Sequence, residues 1–279
     1  MKKITRRSFL AAAGLTAAAL ALTACGGSSS STASSTASSA AASSEAASSS
    51  AAAELTTVEA GKLTMATNAA FPPYEMTTDT GAFEGIDVDT AQAIAEKLGL
   101  ELQIDDMDFD AALLSVQQGK ADIVMAGVTV TDERKAVMDF SDSYATGIQS
   151  IIVPEGSDIA TPDDLAGKKI GTQRGTTGYI YCSDDFGEDS VVAYDSGLTA
   201  VQALNNGQVD AVVIDNAPAT EYVAANPGLK VLDTSYAEED YAIGMAKGSA
   251  LEDAVNKALE ELKADGTLQA IVDKYINAN

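Results

Sequence analysis

Two stretches of the sequence follow the same plan, and this internal repeat constrains the fold more than any other feature. Leu113–Gly127 and Val201–Asp215 each predict a helix, a Gly-x-x-Asp turn and a buried strand. A strand and a turn precede both copies, at Lys62–Phe71 and at Lys168–Tyr179. The sequence therefore predicts two α/β lobes. The alternative is a chance match, because α/β proteins use this helix-to-strand unit often.

The loops that follow the predicted strands indicate where a ligand binds. Open α/β sheets bind ligands beyond the carboxyl ends of their strands, so we expect a ligand cleft between the two lobes. We expect the chain to cross from one lobe to the other twice, near Gly147–Val153 and near Tyr241–Lys247. Two strands that join two lobes predict a hinge. The predicted boundaries place the first lobe at residues 54–150, the second at 151–241 and a return to the first at 242–279.

The first 53 residues differ from the rest of the chain. Basic residues within Met1–Arg7 and the apolar run Phe9–Leu22 indicate a secretory signal peptide at residues 1–24, and the run is too short to predict a membrane span. Residues 25–53, which are mostly serine and alanine, predict a flexible tether. Thr5–Leu10 also resembles a twin-arginine export signal, and the general secretory route is the alternative.

Composition excludes several classes of function. The formal net charge of −24 argues against a nucleic-acid partner. The chain has no histidine, which excludes a Ser-His-Asp or Cys-His catalytic site and histidine-ligated zinc. Cys182 is the only cysteine after Cys25, so the folded body has no internal disulfide. Asp106–Asp110 resembles the start of a calcium loop, but Ala111 replaces its glycine and Gln117 its last glutamate, and we expect neither a metal nor a cofactor.

Two charged residues at predicted strand ends are the main ligand-binding candidates. Arg134 follows the first repeat, beside the hydroxyl groups of residues 129–131, and its planar five-donor fork suits a carboxylate. The alternative is a surface ion pair with Asp139 or a glutamate. Asp215 ends the strand of the second repeat and either accepts from a ligand ammonium or caps the helix that begins near Ala217. Together, a cation fork and a carboxylate complement a zwitterion.

Polar and aromatic residues in the same predicted loops complete the candidate site. The first lobe contributes Asn68, Phe71, Gly127 and Thr129, and the second contributes Gln173, Arg174, Gly175, Thr176 and Thr177. Phe71, next to two prolines in a turn, is placed to cover a ligand, and Phe109 lies where a strand meets a helix. For both phenylalanines the alternative is a place in the hydrophobic core.

Four motifs carry a resemblance to a known family. Ala126–Tyr144, Gly85–Gly99, Phe71–Glu75 and Ala264–Tyr275 resemble segments of the amino-acid-binding proteins of bacterial ABC importers, which are extracellular solute-binding proteins of family 3. The resemblance implies the two-lobe, type II periplasmic-binding-protein fold. It also implies that the protein captures a free, polar L-amino acid by lobe closure and delivers it to an ABC transporter permease.

The resemblance extends to the cell envelope and to the quaternary structure. Leu22–Cys25 resembles a lipobox, which implies lipidation of Cys25 and an exported protein that is anchored to the outer face of the cell membrane; the alternative is a plain buried cysteine. We also expect a monomer. The alternative within the same fold is an enzyme such as a cyclohexadienyl dehydratase. Such an enzyme uses a carboxylate in the cleft as its acid or base.

The resemblance also implies a role for each candidate residue. Arg134 binds the α-carboxylate with Thr129 and Thr177, while Asp215 binds the α-ammonium with Thr129 and the Gly127 carbonyl. The remaining members are Phe71 and Phe109, which enclose the ligand, and Asn68, Gln173 and Thr176, which face its side chain. Members that take cationic amino acids often have an acid where this chain has Asn68, so a neutral side chain such as that of glutamine fits better.

Overall fold

The computed structural model of this protein describes residues 55–276. The predicted signal peptide (1–24), Cys25 and the tether (25–53) lie outside the described residues. Within residues 55–276, no helix has both the length and the apolar character needed to cross a membrane.

Strands and helices alternate along most of the described chain. The strands are β1 (Lys62–Thr67), β2 (Ala70–Phe71), β3 (Glu75–Thr77), β4 (Phe83–Glu84), β5 (Glu101–Asp106), β6 (Ile123–Val124), β7 (Met138–Phe140), β8 (Ala145–Pro154), β9 (Ile170–Gln173), β10 (Val191–Tyr194), β11 (Ala211–Asp215), β12 (Leu229–Val231), β13 (Ala237–Tyr241) and β14 (Gly244–Ala246). The α-helices are α1 (Ile86–Leu98), α2 (Phe109–Gln117), α3 (Asp132–Lys135), α4 (Thr177–Phe186), α5 (Gly197–Asn205), α6 (Asn216–Ala225), α7 (Glu252–Ala264) and α8 (Thr267–Tyr275).

Two separate sheets form the centres of two lobes. The first sheet has the order β5-β1-β6-β14-β7, and β1 runs parallel to both β5 and β6. The second has the order β10-β9-β11-β8-β12, with β13 paired to β8. The C-terminal strand β14 pairs with β6 and β7, so the chain returns to the first lobe as predicted. The short strands β2, β3 and β4 form a third sheet beside the first lobe.

Each lobe has its own hydrophobic core, because helices cover the apolar faces of its sheet. Leu63 and Met65 of β1 are fully buried in one cluster with Ile94 of α1 and Leu259 of α7. The core of the second lobe joins residues of β8, β11 and α5. This burial is the main favourable term in the stability of each lobe.

The repeat predicted from the sequence is present in both lobes. Gly119 after α2 and Gly207 after α5 have φ values of +65° and +66°, which glycine adopts without strain. Three residues further on, Oδ2 of Asp122 accepts from the N–H of Thr64 at 2.8 Å, and Oδ2 of Asp210 accepts from the N–H of Lys169 at 2.8 Å. Each aspartate therefore fastens its turn to the neighbouring strand of the sheet.

The first predicted crossing between the lobes is wrong by a few residues. β7 pairs in the first sheet up to Phe140, and β8 pairs in the second sheet from its first residue, Ala145. The chain therefore changes lobes between these two residues, ahead of the predicted Gly147–Val153 crossing and of the 150/151 boundary. The apolar run of β8 gave no sign of this, because a strand that enters a lobe has the same pattern as one that leaves it. The chain changes lobes a second time between β13, which pairs in the second sheet, and β14, which pairs in the first.

Candidate functional site

All ten ligand-binding residues predicted from the sequence line one cavity between the two lobes. They are Asn68, Phe71, Phe109, Gly127, Thr129, Arg134, Gln173, Thr176, Thr177 and Asp215. The cavity has about 450 Å³ of space between atoms, its open mouth included. Arg174 does not take part, because its exposed side chain points to Asp195.

Arg134 is buried in the cavity wall by the loop that precedes it. Thr131 caps α3 by accepting from the N–H of Arg134 at 3.2 Å, so the guanidinium turns inward. It donates to the carbonyl oxygen of Thr129 at 2.8 Å and to that of Gly175, in the other lobe, at 3.2 Å. It also lies 5.4 Å from the ring centre of Phe109, a cation-π arrangement. Burial lowers the pKa of Arg134 from its ordinary value.

The surface ion pair considered for Arg134 does not form among residues 55–276. Asp139 instead pairs with Lys247 and accepts from the N–H of Gly248 at 2.6 Å. The bonds from Arg134 use two of its five donor hydrogens on neutral carbonyl groups. The fork therefore retains N–H groups for a carboxylate at the cavity and has no ion pair within the part of the chain that the structure describes.

Asp215 both caps a helix and lines the cavity. Its Oδ1 accepts from the N–H of Ala217 at 3.0 Å, and its Oδ2 accepts from the N–H of Ile148 at 2.8 Å and the hydroxyl of Tyr241 at 3.0 Å. Burial raises the pKa of Asp215 to about 6, although these hydrogen bonds act in the opposite direction. The predicted helix cap and the cavity position are therefore both correct.

The aromatic residues form two different parts of the wall. Phe71 stacks on Tyr74 with ring centres 5.8 Å apart and is half-buried, whereas Phe109 is 6% exposed and begins α2. Gly127 lies against Phe71, since a Cβ at this glycine would come within 3.0 Å of Phe71 Cε1. Its φ of +55° also favours glycine. The close approach of ring and backbone fixes one edge of the cavity.

Asn68 and Gln173 bond to each other across the cavity. Gln173 Nε2 donates to Asn68 Oδ1 at 2.9 Å, and Asn68 Nδ2 donates to the carbonyl oxygen of Met107 at 2.8 Å. Thr176 caps α4 by accepting from the N–H of Tyr179 at 3.3 Å, and its hydroxyl donates to the carbonyl oxygen of Gln173 at 2.8 Å. The polar groups predicted to face a ligand side chain are thus engaged with each other in this closed arrangement.

Glu75 is the charged residue of the cavity that the sequence prediction missed. Its side chain is fully buried, and neither carboxylate oxygen has a hydrogen-bond donor among residues 55–276. Burial and the neighbouring carboxyl of Asp87 raise the pKa of Glu75 well above its ordinary value. The available signal was the hairpin register, because Glu75 pairs directly with Phe71 and therefore shares its face.

Asp87 supports the same wall from inside the first lobe. Its Oδ2 accepts from the N–H of Gly127 at 3.0 Å, which holds that peptide in place. Burial is the main cause that raises the pKa of Asp87 to about 6. Two buried acids this close hold one proton more readily than two negative charges. The other lining residues that the sequence did not indicate are Ala126, Gln149, Val213, Ile214 and Tyr241.

Two α/β lobes, two crossings of the chain and a buried polar cavity between the lobes define a two-lobe binding protein with the type II periplasmic-binding fold. The chain belongs to the bacterial extracellular solute-binding proteins, family 3, whose sequence model matches residues 63–278. The resemblance that the four sequence motifs indicated is therefore correct.

Relatives in this family differ in the ligand that they are named for. The L-cystine-binding protein TcyJ of Escherichia coli is 34% identical to this chain, over 79% of this chain and 85% of its own length. The arginine-, lysine-, histidine-binding protein ArtJ of Geobacillus stearothermophilus superposes with a TM-score of 0.75 at 35% identity, over 78% of this chain and 96% of its own. An ancestral arginine-binding protein bound to glutamine superposes with a TM-score of 0.73 at 42% identity, over 77% of this chain and 98% of its own.

Proposed function

We propose that this protein captures a cationic L-amino acid, with L-arginine as the first candidate, and delivers it to the permease of an ABC importer. The observation that carries the cationic ligand is the buried carboxyl group of Glu75 at the cavity, which accepts no hydrogen bond from a donor among residues 55–276. Relatives named as arginine-binding proteins support the amino-acid ligand, and a relative with glutamine bound makes the charge of the side chain the point to test.

The balance of charges in the cavity favours a ligand with a positively charged side chain. The α-carboxylate of a ligand neutralises Arg134, and its α-ammonium neutralises Asp215. Glu75 then remains as a negative charge without donors, and an unpaired buried charge costs several kcal/mol. Either a proton or a positive ligand side chain removes this cost. A guanidinium supplies both the charge and a pair of parallel N–H donors for the carboxylate. A cationic ligand thus takes the place of the ligand with a neutral side chain that Asn68 led us to expect.

Capture works by closure of the lobes on the ligand. Several hydrogen bonds already join the lobes, among them those from Arg134 to Gly175, from Gln173 to Asn68, and from the hydroxyl of Tyr222 to the carbonyl oxygen of Ala70 at 2.6 Å. A ligand held by Arg134 of one lobe and Asp215 of the other adds charge-assisted bonds that exist only in the closed form. A few such bonds, each worth about 1.5–3 kcal/mol net, give micromolar binding at about −8 kcal/mol.

The envelope location is part of the same proposal. Export through the signal peptide and lipidation of Cys25 would anchor the protein at the outer face of the cell membrane, with residues 25–53 as a tether that lets the monomeric body reach its permease. Replacing Cys25 with alanine is expected to release the protein from the membrane fraction. Retention of the Cys25→Ala protein in washed membranes would contradict the anchor.

The experiment that tests the ligand compares two molecules of nearly the same shape. Calorimetric titration of protein stripped of ligand with L-arginine and with L-citrulline, its neutral isostere, isolates the side-chain charge. We expect arginine to bind about 100-fold more tightly, as one charge-assisted interaction predicts. Arg134→Ala is the control and is expected to lose both ligands. Equal or tighter binding of citrulline or glutamine would contradict a cationic ligand, and turnover of prephenate would indicate the dehydratase alternative.

A further inference from the structure

A second buried carboxylate, Glu239 on β13, contacts the cavity only through other side chains. It is 6% exposed and does not line the cavity itself. One of its oxygens, Oε2, accepts from Oγ1 of Thr129 at 3.0 Å and from Nε2 of Gln149 at 3.0 Å. Both donors line the cavity, one from each lobe. Glu239 therefore controls how two cavity groups present their hydrogens.

The hydrogen count at Thr129 decides what this residue offers to a ligand. A hydroxyl has one hydrogen and two lone pairs, and the carboxylate of Glu239 has no hydrogen to give. The Thr129 hydrogen must therefore point at Glu239. Oγ1 of Thr177, 3.4 Å from Oγ1 of Thr129, is then the donor in that contact. The carbonyl oxygen of Thr129 is already an acceptor for Arg134.

We infer that Glu239 is a positioning residue that turns the Thr129 hydroxyl into an acceptor for the α-ammonium of the ligand. With its hydrogen held by Glu239, the Thr129 hydroxyl cannot donate to the ligand carboxylate, and neither can the Thr177 hydroxyl, whose hydrogen points at Thr129. The ligand carboxylate is therefore left to Arg134. Thr129 and Asp215 then form the acceptor set for the ammonium. This inference rests on the proposed amino-acid ligand and separates two roles that the family resemblance assigns to Thr129 together.

A simpler role for Glu239 is that of counter-charge to Arg134, whose pKa it acts to raise. The two roles predict different outcomes. A lost counter-charge changes the binding of every ligand that carries a carboxylate by the same factor. A lost acceptor arrangement changes only ligands that carry an ammonium. A ligand and its analogue without the amino group therefore distinguish the two roles.

Two substitutions at this position separate charge from acceptor. Glu239→Gln removes the charge but keeps an oxygen for Thr129 and Gln149, and that amide orientation satisfies both donors. Glu239→Leu removes both the charge and the acceptor. Glu238→Leu, at the exposed neighbouring residue of the same strand, is the matched control. The probes are L-arginine and 5-guanidinopentanoate, which lacks only the α-amino group.

The measured quantity is the ratio of the two dissociation constants, 5-guanidinopentanoate over L-arginine. In Glu239→Leu we expect this ratio to fall about tenfold, the loss of one charge-assisted bond, while 5-guanidinopentanoate binds as in the wild type and so reports an intact fold. In Glu239→Gln and in the Glu238→Leu control, we expect the ratio to stay within about threefold of wild type. An unchanged ratio in Glu239→Leu, with both ligands weakened by the same factor, would overturn the inference in favour of the counter-charge role. An equal fall of the ratio in Glu239→Gln and Glu239→Leu would also overturn it, because Glu239→Gln keeps the acceptor oxygen.

The Thr129→Val variant provides a second test that does not depend on the folding of Glu239→Leu. It removes the hydroxyl, so the ratio should fall by the same factor, and adding Glu239→Leu should lower it no further. An unchanged ratio in Thr129→Val would overturn the inference. Failure of the proposed cationic ligand is distinct, because it appears in the wild type. If the wild type binds another amino acid, that amino acid and its own des-amino analogue replace the two probes.

Discussion

Asp215 and Glu75 are two buried carboxylates of one cavity, and they differ in the number of hydrogen bonds they accept. Asp215 accepts three, from two backbone N–H groups and the Tyr241 hydroxyl. Glu75 has no donor among the described residues, and its neighbour is another acid, Asp87. Hydrogen-bond donors thus favour the charged form of Asp215, whereas no donor among the described residues favours the charged form of Glu75.

The difference indicates a separate function for each residue: Asp215 supports the fold and binds every ligand, whereas Glu75 distinguishes one ligand from another. Burial raises the pKa of both carboxyl groups, but the donors around Asp215 limit the rise to about 6. Asp215 is therefore ready to receive the ammonium that all α-amino acids share. Glu75 gains a partner only from a ligand with a positive side chain. Asp215, which every amino-acid ligand needs, thus accepts hydrogen bonds from the fold itself. Glu75, which selects one kind of ligand, accepts none from the described residues.

Replacing Asp215 is expected to have the largest effect, because it removes both structural and binding functions. In Asp215→Asn, the amide hydrogens must face at least one of the N–H donors that now bond to the carboxylate. We expect amino-acid binding to weaken more than about 100-fold and the free energy of unfolding to fall by about 2–3 kcal/mol. Calorimetric titration and urea unfolding measure the two effects.

Asp210→Asn is the matched control for this prediction. Asp210 bonds to the N–H of Lys169 at the far end of the same strand, away from the cavity. Its replacement should lower stability without changing affinity. If Asp215→Asn bound amino acids normally, Asp215 would be a helix cap only, and the proposed ammonium site would be wrong.

Replacing Glu75 is expected to change selection while sparing the fold. Glu75→Gln keeps the shape of the side chain and removes one of two neighbouring buried acids, so the free energy of unfolding should rise or stay constant. Arginine affinity should fall about 100-fold, whereas citrulline affinity should stay within about threefold. Thermal unfolding and titration with both ligands test this. A parallel loss of both ligands would assign Glu75 to the general architecture of the cavity.

The dependence of binding on pH sharpens the comparison further. The pKa values of Glu75 and Asp87 are raised, so the folded, ligand-free protein holds a proton that the unfolded chain releases at lower pH. Their contribution to stability is therefore full below about pH 4 and declines as the pH rises above that value. The part that comes from Asp87 is lost as the pH rises through its raised pKa of about 6. Arginine must displace this proton when it binds, because its side chain carries a positive charge. Citrulline is neutral and binds without displacing the proton.

The preference for arginine over citrulline should therefore decrease as the pH falls below 7, by at most about tenfold per pH unit. Protonation of Asp215, whose pKa is about 6, weakens the binding of both ligands by the same factor. This effect therefore cancels in the ratio of their dissociation constants. Titrations of both ligands between about pH 5 and pH 8 measure this ratio. A preference that does not vary with pH would show that no proton leaves Glu75 and Asp87 on arginine binding.

The sequence predicted features that depend on local pattern. The glycine and aspartate of each repeat, the emergence of Arg134 after a strand and the helix cap at Asp215 all follow from residue type and spacing. Glu75 and Glu239 were missed because their burial depends on strand register and on neighbours far along the chain, such as Thr129 at 110 residues from Glu239. The lobe boundary near Ala145 was missed because it depends on which sheet β8 joins.

The smallest predicted effect concerns Asn68 and Gln173, whose mutual bond the sequence did not anticipate. They meet at 2.9 Å across the lobes, so they contribute to closure before any contact with a ligand side chain. A double-mutant cycle of Asn68→Ala and Gln173→Ala on arginine affinity should give a coupling of about 0.5–1.5 kcal/mol, the net value of a neutral hydrogen bond. Additive effects would mean that the bond breaks when ligand enters and that each amide then contacts the ligand side chain independently, as the sequence prediction stated.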